Sequence, residues 1–225
     1  MNGKLVLYIG EKNISSWSMR PYVALAAKGL DFEERTISIR EDPDRSKRRA
    51  AGPTGKVPVL HHLRDGVPPL VIPDSLAIIE YLEEAFPPPR WPALWPADAR
   101  QRAHARWLAA AMHSGFGQLR EAMSFNLCFL PEPPAATAEA LAEAAEMLGY
   151  WESALAAKTE PGSFLFGAFG AADAMFAPAV WRLKAFRVPS AATPRAAAYM
   201  DAVLAHPAVA RWMDAARALP AVQSY

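Results

Sequence analysis

The chain has little of what metal and disulfide chemistry require. One cysteine, Cys128, stands in 225 residues, so an internal disulfide cannot form and no thiolate-rich metal site can be built, as expected in a reducing compartment. The five histidines form no helical metal-binding pair, and the adjacent His61 and His62 would face opposite ways on a strand, so no metal is expected. No apolar run approaches the roughly 20 residues that span a bilayer. The first residues also lack the basic and apolar regions of a secretory signal, so a soluble, cytoplasmic protein is expected. Charge of one sign is scarce too. At a net charge of +1, with a basic cluster only at Arg45, Lys47, Arg48 and Arg49, the sequence predicts neither a nucleic-acid nor an anionic-membrane partner. That cluster reads as a solvated helix face.

What is present divides into two kinds of pattern. Leu5 to Ile9 form a short apolar run bounded by Gly10, a buried strand. Tyr22, Val23, Leu25, Ala26 and Ala27 recur at helical spacing until Gly29. Pro21 fits only a first helical turn, which predicts a helix beginning no earlier than Trp17 or Ser18. Residues 32–39 read as a second strand and 41–51 as a short irregular helix. A hairpin turning at Asp65 and Gly66 follows, then an amphipathic helix from Leu76 to Phe86. A stiff proline-rich stretch follows at 87–96. Beyond it the pattern is helical throughout, at about 99–122, 137–157, 171–186, 194–205 and 207–218, divided by breakers that include the Pro131 to Pro134 stretch. The expected units are an α/β unit at 1–86, a linker at 87–96 and an all-α unit at 97–225.

Three short stretches carry chemistry. Asn13, Ser15, Ser16 and Ser18 crowd the turn into the first helix, where unpaired N–H groups and the helix dipole suit an anion such as a thiolate. The competing role is plain capping. Val57 precedes Pro58, which keeps Val57's N–H and C=O out of a ladder and open to an extended peptide. Asp74 and Ser75 open a helix with a carboxylate, a hydroxyl and backbone donors, a fit for an α-amino-acid head. They can cap that helix as well.

In this order the parts resemble the cytosolic glutathione transferases, over nearly the whole chain. Ser15, Ser16, Trp17, Ser18, Met19 and Arg20 resemble the serine-type zeta-class motif, with Trp17 where that class has cysteine. Val57 and Pro58 resemble the family's cis-proline turn. Asp74 and Ser75 resemble its acidic residue followed by serine. Asp173 resembles the end of its C-terminal capping motif, with Gly170 in place of the hydroxyl residue. The resemblance implies an α/β thioredoxin-like N-terminal domain with a mixed sheet, followed by an all-α C-terminal domain.

It further implies glutathione as co-substrate and no metal. Ser15 would be catalytic, Val57 and Pro58 would hold the cysteinyl backbone, and Asp74 and Ser75 the γ-glutamyl head. Lys56 and the basic cluster near Arg45 are candidates for the glycine carboxylate. Met112 and Phe116 are candidate linings of an apolar cleft for a small electrophile, with core packing as their competing role. A two-fold homodimer is also implied.

The first functional expectation is conjugation of glutathione to such an electrophile. Maleylacetoacetate isomerisation ranks second, because the class's substrate-carboxylate arginine aligns with Ala185, leaving Arg182 or Arg187 as substitutes. A non-enzymatic interaction module on the same scaffold is third. Disulfide exchange is excluded at this turn, which has serines where that chemistry needs a nucleophilic cysteine.

Overall fold

A computed structural model describes residues 3–127 and 135–222. Cys128 and the Pro131 to Pro134 stretch lie outside the described residues. The chain opens with β1 (Lys4–Ile9), α1 (Ser16–Ala27), β2 (Glu33–Thr36) and α2 (Ser46–Ala51), followed by β3 (Val59–Leu63), β4 (Leu70–Ile72) and α3 (Ser75–Ala85). The strands make a four-stranded mixed sheet in the order β2-β1-β3-β4. β1 runs parallel to β2 and antiparallel to β3, and β3 runs antiparallel to β4. This is a thioredoxin-like unit. The helical part contains α4 (Ala99–Ser114), α5 (Gly117–Ala122), α6 (Ala138–Ala157), α7 (Ala171–Ala185), α8 (Pro194–Ala205) and α9 (Pro207–Arg217). Among the described residues no helix is long and apolar enough to cross a membrane.

The second strand and the short helix are briefer than the 32–39 and 41–51 read from sequence, at Glu33–Thr36 and Ser46–Ala51, and two further boundaries differ for physical reasons. α1 begins at Ser16, earlier than expected, so Pro21 lies inside the helix rather than in its first turn. That arrangement forgoes one i→i−4 bond, from position 21 to the Trp17 carbonyl. The helix tolerates it because α1 packs against α3, α7 and α9, and all of Ser16 to Leu25 except Trp17 is buried. The expected single helix over 99–122 is two helices. Phe116 takes a left-handed conformation at φ 58°, and the chain turns there from α4 into α5. A buried aromatic residue has no local preference for that conformation.

The start of α7 ties the helical part to the linker. Asp173 Oδ2 accepts the Gly170 N–H at 2.8 Å, and Oδ1 accepts the Leu165 N–H at 3.2 Å. Gly170 is required there: a Cβ would lie 2.6 Å from the carbonyl oxygen of Leu94, the same oxygen that accepts the Ala171 N–H at 2.8 Å. The missing hydroxyl residue is thus a consequence of linker docking.

Burial pushes the Asp173 carboxyl up to about 6. The folded chain therefore holds this proton more tightly than the unfolded one, and Asp173's contribution to stability falls as pH rises from about 4 to about 6. Urea unfolding of the wild type and Asp173→Asn should show their difference moving in the variant's favour by about 2 kcal/mol between pH 4 and pH 7. A pH-independent difference would contradict this.

Candidate active site

A cleft of about 610 Å³ opens between the sheet unit and the helices, floored by the start of α1. Ser15 occupies the N-cap position of α1, yet its side chain makes no capping bond. Its Oγ lies 2.8 Å from Ser18 Oγ, which accepts the Gly10 N–H at 3.1 Å. Capping therefore does not account for this serine. The loop before it is fastened across the molecule, since Asn13 Nδ2 donates to the Pro220 carbonyl at 2.9 Å and Leu127 N–H donates to the Asn13 carbonyl at 2.9 Å.

The facing wall comes from β3 and α3. The Val57–Pro58 peptide bond is cis, and β3 begins only at Val59, so Val57 stands outside the β1–β3 ladder. Asp74 does two jobs with two oxygens. Oδ1 accepts the Leu76 and Ala77 N–H groups, both at 2.9 Å, capping α3, while Oδ2 lies 3.2 Å from His113 Nε2. Ser75 is 1% exposed, and its Oγ has no hydrogen-bond partner. Lys56 lies exposed at the rim. Arg48 departs from the solvated face expected of its cluster: it turns in to Asp42, with Nε 2.9 Å from Oδ2, and lines the cleft.

The cleft thus brings Ser15, Lys56, Val57, Pro58, Asp74 and Ser75 together. Met112 and Phe116 do not line it. Met112 faces inward along α4 into the core, and the left-handed turn at Phe116 buries that ring beside Tyr150. The neighbouring helix face supplies His113 instead.

Arginines are what the sequence reading located least well. Arg182, on α7, is 4% exposed; its Nε donates to the Met123 carbonyl at 2.7 Å, its Nη2 to Ser16 Oγ at 3.3 Å, and its Nη1 is buried without a partner. Burial, with the charge of Arg120 nearby, pushes it down to about 9, so it is still a cation at neutral pH. Arg187 is exposed, and Ala185 does not line this cleft. Arg20 is wholly buried, its guanidinium 4.0 Å from the centre of the Trp17 ring, with its three side-chain nitrogens unpartnered. Burial and the charges of Arg182 and Arg120 depress it strongly, against the nearby Asp74. Arg120 stands over Trp17 at 5.5 Å and is lowered by burial. An α7 arginine one turn before Ala185 was among the alternatives read from sequence; Arg120 and His113 carried no local signal.

Such a cleft can hold an extended peptide along Val57, place an anionic atom at the Ser15 hydroxyl, and receive a second anion at Arg182. Among the described residues no group of histidine, cysteine and acidic side chains is arranged to hold a metal ion. Residues 14–85 match the family described as "Glutathione S-transferase, N-terminal domain", and residues 134–215 match "Glutathione S-transferase, C-terminal domain". The "Maleylacetoacetate isomerase" of Rattus norvegicus is 31% identical over 207 residues, 90% of this chain and 89% of that protein. The chain belongs to the glutathione S-transferase family.

This glutathione S-transferase is accordingly an enzyme of zeta-like type. The "Probable maleylacetoacetate isomerase" of Caenorhabditis elegans is 40% identical over 118 residues, 52% of this chain, and the match spans about half (50%) of that protein's length. The solved maleylacetoacetate isomerase of Anaeromyxobacter dehalogenans, with glutathione bound in its active site, superposes with a TM-score of 0.72 at 28% identity. That superposition covers 98% of this chain and 99% of that one. Relative to the zeta-class motif, this transferase carries Trp17 in place of cysteine, so the entrance to α1 has hydroxyls and no thiol.

Proposed function

We propose that the protein is a glutathione-dependent cis–trans isomerase acting on a small anionic cis-enedioate of the maleylacetoacetate type. The observation that carries this reading is Arg182, a buried cation in the cleft lining with one nitrogen unpartnered. A guanidinium without a counter-ion is costly in a dry site, and a substrate carboxylate would supply one. Simple conjugation to an apolar electrophile, the first expectation from sequence, gives these arginines no task. The zeta-class relatives support the same order.

Glutathione fits the residues present: the cleft is within the usual range for ligand sites, and Ser75 Oγ is an orphaned hydroxyl beside a helix N-terminus. When bound, it supplies a thiolate that adds to one alkene carbon, leaves a single bond free to rotate, and departs with the trans double bond restored. Ser15 donates a hydrogen bond that holds the thiol ionised. Val57 pairs with the cysteinyl backbone beside Pro58, Asp74 takes the ammonium and Ser75 the carboxylate of the γ-glutamyl head, and Lys56 with Arg48 faces the glycine carboxylate. Arg182, with Arg120 behind it, holds a substrate carboxylate while the alkene turns.

Comparing a cis-enedioate with its neutral diester tests the reading. The diacid should be turned over at least tenfold more efficiently, since one charge-assisted contact is worth about 1.5–3 kcal/mol. Equal rates would contradict it. Ser75→Ala should weaken glutathione binding about tenfold or more in a calorimetric titration, by the same arithmetic. Unchanged affinity there would displace the γ-glutamyl head from Ser75.

A two-fold dimer, joining the sheet unit of one copy to the helices of the other, belongs to the same proposal. The exposed Val67, Leu70 and Val71 at the sheet edge and Trp107 on α4 are apolar surfaces suited to it. Sedimentation at micromolar concentration should give twice the 24.5 kDa of one chain. A 24.5 kDa species alone would contradict it.

A further inference from the structure

Ser18 is wholly buried and touches no part of the cleft surface, yet its hydroxyl lies 2.8 Å from Ser15 Oγ. On its other side it accepts the Gly10 N–H at 3.1 Å. A backbone N–H can only donate, so Gly10 occupies one lone pair of the Ser18 oxygen, and the Ser15 hydroxyl donates to the other. An anion in the cleft that draws the Ser15 proton turns this contact round: Ser18 keeps the Gly10 N–H and gives its own proton to Ser15. The close approach of strand and helix needed for this depends on Gly10. A Cβ there would meet Ile39 Cδ1 at 2.4 Å and Ser15 Oγ at 3.0 Å.

The geometry points to Ser18 as a positioning residue: it completes a one-way donor relay, Gly10 N–H to Ser18 to Ser15, that aims the Ser15 proton at an anion in the cleft. The inference rests on the reading of Ser15 as donor to the glutathione sulfur. Chains of hydrogen bonds running in one direction polarise each other, strengthening each bond by roughly 10–30%. The sequence motif gives no hint of this, because Ser18 reads there as another turn or capping serine.

Thiolate absorbance of protein-bound glutathione, titrated against pH, tests the relay in the wild type, Ser15→Ala, Ser18→Ala and the double variant. Ser15→Ala should raise the thiol pKa by about one to two units. Ser18→Ala should raise it by about 0.1–0.6 unit, the polarised fraction of that effect. The double variant should match Ser15→Ala, because a relay has nothing to act on once its last member is gone. If Ser18→Ala fails to fold, Ser18→Cys keeps the volume with a weaker donor and serves the same comparison.

No shift in Ser18→Ala alongside a clear shift in Ser15→Ala would overturn the relay and leave Ser15's role standing. Equal added shifts with and without Ser15 would also overturn it, since packing alone would then explain Ser18. No shift in Ser15→Ala would overturn the reading beneath it.

Discussion

Arg182→Met is expected to lower kcat/KM for a cis-enedioate about 100-fold, while the affinity for glutathione and the pKa of its bound thiol stay nearly unchanged. The size follows from the environment. Arg182 is buried, so a substrate carboxylate meets it with little water between, and the contact falls at the strong end of charge-assisted bonds. Methionine keeps most of the side-chain volume and removes the charge. It also leaves the Met123 carbonyl and Ser16 Oγ without the donor they have now, a stability cost of about 1–3 kcal/mol that melting would register separately. The neutral diester separates the two effects: its turnover should be affected little. An equal loss for diacid and diester would mean that Arg182 supports the site only by packing.

Ser15→Ala is expected to reduce turnover of every substrate by about 100-fold, and to move the pH–rate profile upward. Serine has no base beside it here, so its role is to stabilise charge rather than to attack. A free thiol of pKa about 8.5 is only about 3% ionised at pH 7, and lowering it by roughly two units gains about 25-fold in thiolate. A less basic thiolate is a weaker nucleophile, with a Brønsted slope of about 0.4–0.5, so about six- to tenfold is returned. Ionisation therefore accounts for only a few-fold. The rest of the loss comes from aim, since misplacing a reactant by a fraction of its size costs up to about 100-fold. The sign is fixed: the hydroxyl donor favours the charged thiol, so its removal raises the pKa and shifts the profile to higher pH. Ser16→Ala should leave the profile nearly in place, because Ser16 Oγ is engaged by Arg182. A larger shift in Ser16→Ala than in Ser15→Ala would exchange their assignments.

The parts of the cleft that were legible in sequence are those made by one local stretch. The serine turn, Val57 with Pro58, and Asp74 with Ser75 each declare themselves within a few residues, because turn and capping chemistry is local. The parts that were not legible depend on how elements meet. Whether Met112 or His113 faces the cleft is a matter of one helical position, about 100° of rotation, which periodicity through an alanine-rich helix does not fix. Arg120 reaches the cleft only because the chain turns at Phe116, and a left-handed phenylalanine leaves no mark beyond the glycines on either side. Gly170 looked like a lost cap until the Leu94 carbonyl occupied the space a side chain would need.

The most direct test follows glutathione itself during turnover of a cis-enedioate, by proton NMR with glutathione far below the substrate. Isomerisation by addition and elimination predicts complete conversion to the trans product with the glutathione signals intact. Consumption of one glutathione for each product, with a stable thioether accumulating, would contradict the proposed function and return the protein to conjugation.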